Sequence, residues 1–103
     1  MQNDLEIYEL LYLVDPYFPL DELEKKVNFY AQFLMDRGSE VMIQNRGKRN
    51  LSYKIKNFDN ANYIQMTYVG NQKLTNSINL VMRRDEAILR ALTTKVVKPA
   101  QLA

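Results

Sequence analysis

The segment from Glu6 to Val14, Glu-Ile-Tyr-Glu-Leu-Leu-Tyr-Leu-Val, constrains the fold more than any other part of the chain. Its β-branched, aromatic and leucine residues, stopped by Asp15-Pro16, are typical of a β-strand. Alternate side chains of a strand point to opposite faces, and here both faces are largely apolar. Such a strand needs cover on each side, so we predict that it lies in the centre of a sheet.

A helix is predicted to follow, because apolar residues recur at helical spacing and Gly38 supplies a left-handed stop. The recurring residues are Leu23, Val27, Tyr30 and Leu34. Asp21 is predicted to cap this helix at its start, since Glu24 three residues later completes the pattern of a capping box.

The rest of the chain predicts a hairpin, a second helix and a last strand. Residues 40–56 indicate one long strand with a bulge at Gly47, residues 57–60 a turn, and residues 61–69 the returning strand. Asn71 is placed to cap the second helix, and residues 87–95 form the last strand. The inward residues of the second helix are predicted to be Leu74, Ile78, Val81 and Met82.

The resulting order, βαββαβ, is that of an α+β ferredoxin-like fold over residues 1–95, with residues 96–103 as a flexible tail. Right-handed crossovers place both helices on one face of a four-stranded antiparallel sheet with strand order 4-1-3-2. The opposite face is left free. Because the first strand is apolar on that side too, we expect an exposed patch for a partner there, centred on Leu11 and Leu13.

Charge is distributed very unevenly along the chain. Residues 1–45 carry nine Asp and Glu against three Lys and Arg, a net charge of −6. Residues 46–103 carry eleven Lys and Arg against three Asp and Glu, a net charge of +8. The overall charge of +2 therefore conceals a basic second half, which predicts a nucleic-acid partner.

The composition excludes several classes of chemistry. The chain has neither cysteine nor histidine, which removes disulfides, thiolate catalysis, ordinary zinc sites and the usual general base near neutral pH. The carboxylates lack the spacing of a calcium-binding loop. No apolar run approaches the roughly 20 residues that span a bilayer. We therefore expect no enzymatic activity, no metal or cofactor, no small-molecule substrate and no membrane association.

Two groups of cations are candidates for RNA binding. The first surrounds Gly47, which allows close approach of the backbone, and continues along the hairpin: Arg46, Lys48, Arg49, Lys54 and Lys56. The second lies between the second helix and the last strand: Arg83, Arg84 and Arg90. Arginine can fork onto a phosphate, whereas lysine acts as a point charge. The alternatives are a solvated strand face for the first group and, for Arg83 and Arg84, a favourable interaction with the helix dipole.

The tyrosines on the predicted strands offer a second way of binding RNA, by stacking on bases. An RNA-recognition motif, however, needs a glycine-containing aromatic run on its third strand, and residues 61–69 have no glycine. Core packing and partner contact account better for Tyr8, Tyr12, Tyr63 and Tyr68. Lys95 and Lys98, on the last strand and the tail, are further candidates for contact with a partner or with RNA.

With this element order, three stretches resemble the bacterial-type small-subunit ribosomal protein six family. The first is Tyr8-Glu9-Leu10, ending in Val14-Asp15-Pro16. The second and most specific runs from Gly47-Lys48-Arg49 through Leu51 and Tyr53 to Ile55, similar to the family's Gly-x-Arg-x-Leu-x-Tyr-x-Ile. The third is Arg83, Asp85-Glu86 and Ile88-Leu89-Arg90. Asn50 stands where the family often has a cation, and Ser52 and Lys54 replace an alanine and a proline.

The resemblance implies a structural component of the small ribosomal subunit. Members bind the central domain of the small-subunit ribosomal RNA as a pair with ribosomal protein eighteen. A net charge of only +2 agrees with RNA binding that is shared with a protein partner, because phosphate contacts depend on cations. The alternatives on the same fold are a regulatory module that dimerises through its free face and, less well matched, an acylphosphatase-like enzyme. The first strand and its exit look cyanobacterial or plastid-like, so the plastid stroma is the expected compartment, with the bacterial cytoplasm as the alternative.

Overall fold

The computed structural model describes residues 5–96 and has the predicted element order. Its elements are β1 (Glu6–Val14), α1 (Leu20–Met35), β2 (Val41–Ile55), β3 (Phe58–Gly70), α2 (Gln72–Arg83) and β4 (Ile88–Lys95). The strands form one sheet in the order β2-β3-β1-β4, and every neighbouring pair is antiparallel. The ferredoxin-like fold, the strand order and the bounds of β1 are therefore confirmed.

The main core lies between the two helices and one face of the sheet. β1 contributes Tyr8, Leu10, Tyr12 and Val14 to it. The four residues of α1 predicted from their spacing are buried in it, together with Ala31, which was not predicted. From α2, Ile78 and Met82 are buried, while Leu74 and Val81 pack at the margin. β1 is central, as predicted, and neither helix in the described part of the chain has the length and apolarity to cross a membrane.

The two ends of α1 differ in how well the sequence predicted them. The cap at its start is Pro19, and the carboxylate of Asp21 only accepts a hydrogen bond from the N–H of its neighbour Glu22 (2.9 Å). The predicted capping box is therefore wrong, because the chain turns into the helix two residues earlier than Asp21. At the other end, Ser39 and Gly38 donate to the carbonyls of Leu34 and Met35 (3.1 and 3.0 Å). This is the pattern of a Schellman motif, with Gly38 at a φ of +89°.

The β2–β3 hairpin has the predicted bulge and a shorter turn than predicted. The register shifts between Asn45 and Gly47, where Gly47 has a φ of +82°. The turn consists of Lys56 and Asn57, with φ values of +51° and +71°. Two successive residues at positive φ are typical of a type I′ hairpin turn. Residues 58–60, predicted as part of the turn, already belong to β3.

A second, smaller cluster of buried residues lies apart from the main core. It consists of Leu13, Ala61 and Leu89, against which Leu51, Ile55, Phe58 and Tyr63 pack. The packing residues come from the outer part of the β2–β3 hairpin. Since β2 and β3 have 15 and 13 residues against nine in β1, the hairpin extends beyond β1 and can cover its end. The prediction that Leu13 is exposed is therefore wrong, because this cover leaves it only 7% exposed.

Candidate nucleic-acid interface

The bulge at Gly47 fixes which cations of the first group share a face of the sheet. Arg46 is the extra residue of the bulge, and Gly47 and Arg49 lie opposite Tyr63 and Ala61. Residues directly opposite each other in an antiparallel pair point to the same face. Arg49 therefore lies on the face away from the helices, called here the open face. Lys48, opposite Asn62, lies on the helix side. The predicted cluster is thus divided between two faces.

Arg46 is held on the open face by a chain of polar side chains. Its Nε and one of its Nη atoms donate to Gln65 Oε1 (3.0 and 2.8 Å), and the same Nη donates to Gln44 Oε1 (2.9 Å). Gln65 in turn donates from Nε2 to a carboxylate oxygen of Glu9 (2.7 Å). The chain crosses β2, β3 and β1 in the middle of the open face. It occupies Nε and one Nη of the guanidinium, and within residues 5–96 the second Nη makes no hydrogen bond.

Arg49 lies beside Arg46 on the same face. Its Nε donates to the carbonyl oxygen of Arg46 (3.3 Å), and its guanidinium carbon lies 6.0 Å from the centroid of the Tyr63 ring. That distance is at the outer limit of a cation–π contact. The two arginines therefore form one positively charged pair on the exposed surface of β2.

A second set of cations comes together at the edge of the sheet. Lys56 from the hairpin turn, Arg83 from the end of α2 and Arg90 from β4 line one groove of about 380 Å³. The sequence separated Lys56 from the two arginines, and the structure brings the three together. Lys54 and Arg84 are exposed but do not line this groove.

The turn that carries Arg83 and Arg84 is anchored by Asp85. One carboxylate oxygen of Asp85 accepts from Lys26 Nζ (2.6 Å) and from the Tyr30 hydroxyl (2.7 Å), and the other from the N–H of Ala87 (3.0 Å). Burial alone would raise the pKa of Asp85, but these hydrogen bonds and the charge of Lys26 outweigh it and lower the pKa below its usual value.

Sequence reasoning did not find this anchor or the polar chain beneath Arg46. The one available signal was Asp85, which lies within the third resembling stretch, whereas Gln65 is one of several polar residues of β3. Their partners are distant in sequence, so only the fold reveals their roles.

The candidates for contact with a protein partner are scattered. Leu11 lies half-buried on the open face, opposite Leu92 of β4, which is 61% exposed and was not predicted. Leu13 is buried beneath the hairpin. Lys95 lies opposite Tyr8, on the helix side, where its ammonium pairs with Glu6 (3.2 Å). Lys98 lies outside the described residues.

The exposed cations form two groups that can bind anions: Arg46 with Arg49 on the open face, and Lys56, Arg83 and Arg90 along the groove. Within residues 5–96, no group of three or more carboxylates lies close enough to hold a metal ion. The two groups offer guanidinium and ammonium groups, of which the Arg46 guanidinium is held by hydrogen bonds to Gln44 and Gln65. Such groups bind phosphate through charge-assisted hydrogen bonds.

Known proteins of one family are similar to this chain in sequence. The family model of ribosomal protein S6 matches residues 7–95. The small ribosomal subunit protein bS6c of Guillardia theta is 40% identical over 93 residues, which cover 89% of this chain and 97% of that protein. The bS6c protein of Porphyra purpurea is 38% identical over 88% of this chain and 82% of its own length, and bS6 of a Cyanothece species is 34% identical over 85% and 84%.

Solved structures show the same fold. The crystal structure of 30S ribosomal protein S6 from Thermotoga maritima superimposes with a TM-score of 0.85 at 21% identity, over 90% of this chain and 89% of that one. The C-terminal domain of the MgtC protein from Mycobacterium tuberculosis reaches a TM-score of 0.55 at 12% identity, over 93% of each chain. The fold is thus shared by proteins of different names, and the sequence match is what selects between them. The chain therefore belongs to the ribosomal protein S6 family, a structural and non-enzymatic family of the small ribosomal subunit.

Proposed function

We propose that this protein binds the central domain of the small-subunit ribosomal RNA together with ribosomal protein eighteen of the small subunit. The observation that carries the proposal is the gathering of cations from distant parts of the chain. Arg46 and Arg49 lie on the open face, and Lys56, Arg83 and Arg90 lie at one sheet edge. A clustered basic surface in a ribosomal protein is the electrostatic footprint of RNA binding.

The low net charge and an exposed apolar surface support the proposal of a protein partner. A net charge of +2 is low for a protein that holds RNA alone, because each neutralised phosphate uses a cation. Leu92 and Leu11 lie opposite each other on the open face, and Leu92 is mostly exposed. An apolar patch beside cations suits a partner that buries the leucines and adds its own positive charge.

The plastid stroma is the compartment that we propose. The relatives from Guillardia theta and Porphyra purpurea carry the plastid-type name bS6c, and they are 40% and 38% identical to this chain. The match to a cyanobacterial bS6 at 34% identity makes the bacterial cytoplasm the alternative.

The proposal is tested by measuring the affinity of the full chain for a central-domain RNA fragment, with and without protein eighteen. We expect tight binding only with the partner, and a steep loss of affinity between 50 and 200 mM salt, as is typical when several phosphates are contacted. The double variant Arg46→Ala and Arg49→Ala should weaken this binding. The exposed Lys25 of α1, whose pair is Glu22 beside it, provides the control Lys25→Ala. RNA binding that neither salt nor the arginine variants weaken would contradict the proposal.

A further inference from the structure

The groove that contains Lys56, Arg83 and Arg90 runs along the outer edge of β4. Arg90 lies opposite Leu13, which places it on the open face. Arg83 and its neighbours Asn79 and Met82 come from α2, on the helix side. Cations thus lie on both sides of the same sheet edge. The volume of about 380 Å³ is in the range of small-ligand sites, roughly 300–1,000 Å³.

The edge itself offers main-chain hydrogen-bonding groups. β4 is the last strand of the sheet, and within residues 5–96 it pairs only with β1. Val96 donates its N–H inward to the carbonyl of Ile7 (2.8 Å). Because inward and outward residues alternate in an antiparallel pair, the N–H and C=O groups of Ala91 and Thr93 point outward. Both residues line the groove, so it presents donors and acceptors between its cations.

The side chains that line the groove offer positive charge and apolar surface. None of its lining residues is acidic, and none is aromatic. Without an acid, nothing in the groove opposes a phosphate. Without an aromatic ring, it lacks the platform on which proteins usually stack an unpaired RNA base. The Asp85 carboxylate, close in sequence to Arg83, is turned away towards Lys26 and Tyr30.

We propose that this groove binds the ribose-phosphate backbone of one RNA strand. Phosphates contact Lys56, Arg83 and Arg90, and ribose 2′-hydroxyls, which both donate and accept hydrogen bonds, pair with the free main chain of Ala91 and Thr93. The site then distinguishes RNA from DNA without reading sequence. This inference rests on the proposed function, and it assigns a specific contact within it.

An acidic peptide that adds a strand to the edge of β4 is the competing occupant. A strand presents alternate side chains to opposite faces. Such a peptide would therefore need acids on both faces to meet Arg83 on one side and Arg90 on the other. An RNA backbone carries a phosphate at every nucleotide and meets this demand with any sequence.

The test uses single variants of the three cations in the full chain, with protein eighteen and the central-domain RNA fragment. Arg83→Ala and Arg90→Ala remove exposed side chains. Lys56→Asn is chosen because Lys56 has a φ of +51°, a conformation that asparagine tolerates better than alanine does. Lys73→Ala, an exposed cation on α2 outside this groove, is the charge-matched control. Thermal unfolding of each variant verifies that it is folded.

Each groove variant should reduce the slope of log affinity against log salt by about 0.7–0.9, the contribution of one phosphate, while Lys73→Ala leaves the slope unchanged. Base changes that keep the RNA structure should have no effect at this site, and a 2′-deoxy strand should bind more weakly to the wild-type protein.

If wild type binds no RNA, the proposed function itself fails. If wild type binds RNA, but the groove variants behave like the control, or weaken only the contact with protein eighteen, this inference is overturned while the proposed function stands. Equal binding of ribose and 2′-deoxyribose strands would also overturn it.

Discussion

The carboxylate of Asp85 is predicted to be the most costly single polar group to alter. Asp85→Asn keeps the size of the side chain but removes its charge and one of its two acceptor oxygens. Lys26 Nζ and the Tyr30 hydroxyl both donate to one oxygen, and the N–H of Ala87 donates to the other. An amide has one oxygen, so at least one of these donors loses its partner. The ammonium of Lys26 also loses its counter-charge.

The expected loss of unfolding free energy depends on how deeply the Lys26–Asp85 ion pair is buried. The side chains of Lys26 and Asp85 are only 21% and 17% exposed. Breaking a fully buried ion pair costs about 3–5 kcal/mol, and a hydrogen bond to a charged group contributes about 1.5–3 kcal/mol. Since this pair keeps some contact with water, we expect Asp85→Asn to lower the free energy of unfolding by about 2–3 kcal/mol. Urea denaturation measures this loss. Asp59→Asn, at an exposed position in β3, is the control and should stay within about 0.5 kcal/mol of wild type.

The lowered pKa of Asp85 also determines how the free energy of unfolding should depend on pH. Because the pKa of Asp85 is lowered in the folded protein, its contribution is present above the unfolded pKa, near 4, and is lost as the pH falls through the folded value. The difference in unfolding free energy between wild type and Asp85→Asn should therefore be full at pH 7 and shrink below about pH 4. A cost of Asp85→Asn no larger than that of Asp59→Asn, or a difference that stays constant down to pH 2, would refute this account of the anchor.

Two other predictions concern buried hydroxyls and the bulge. Within residues 5–96 the Tyr12 hydroxyl is buried without a hydrogen-bond partner, whereas the Tyr30 hydroxyl donates to Asp85. Tyr12→Phe should thus be neutral or stabilising in urea denaturation, and Tyr30→Phe should lower the free energy of unfolding by about 1–2 kcal/mol. An equal loss of unfolding free energy in both variants would contradict the view that only the Tyr30 hydroxyl makes a stabilising hydrogen bond. Gly47 has a φ of +82° and nothing within 4 Å of an added Cβ, so Gly47→Ala should cost about 1–2 kcal/mol through the backbone alone. A neutral Gly47→Ala in the same assay would mean that the bulge relaxes to negative φ.

The fold could be predicted because its decisive signals are local. Glu6–Val14 is apolar on both faces, and the spacing of Leu23 to Leu34 indicates one helical face. The glycine at position 47 identified the bulge. The start of α1 was predicted wrongly because a capping pattern at Asp21 looked sufficient, while the chain enters the helix directly after Pro19.

The candidate site was only partly predictable, because it depends on distant contacts. Strict alternation along β2 would put Arg46 and Lys48 on one face, but the bulge instead places Arg46 with Arg49 and leaves Lys48 on the other. A shift of one residue reverses every side chain of a strand. Likewise, the approach of Lys56 to Arg90 depends on the packing of the long hairpin against the end of β1 and on β4. No local pattern encodes that packing.

Cations are proposed to hold this chain to RNA within the small ribosomal subunit. The most direct measurement is sedimentation of the tagged full chain through sucrose gradients of a plastid or bacterial lysate, at low and at high salt. We predict that the protein sediments with the small ribosomal subunit at low salt and that Lys56→Asn, Arg83→Ala and Arg90→Ala together release it at a lower salt concentration than wild type. Wild-type protein that remains at the top of the gradient at every salt concentration would contradict the account.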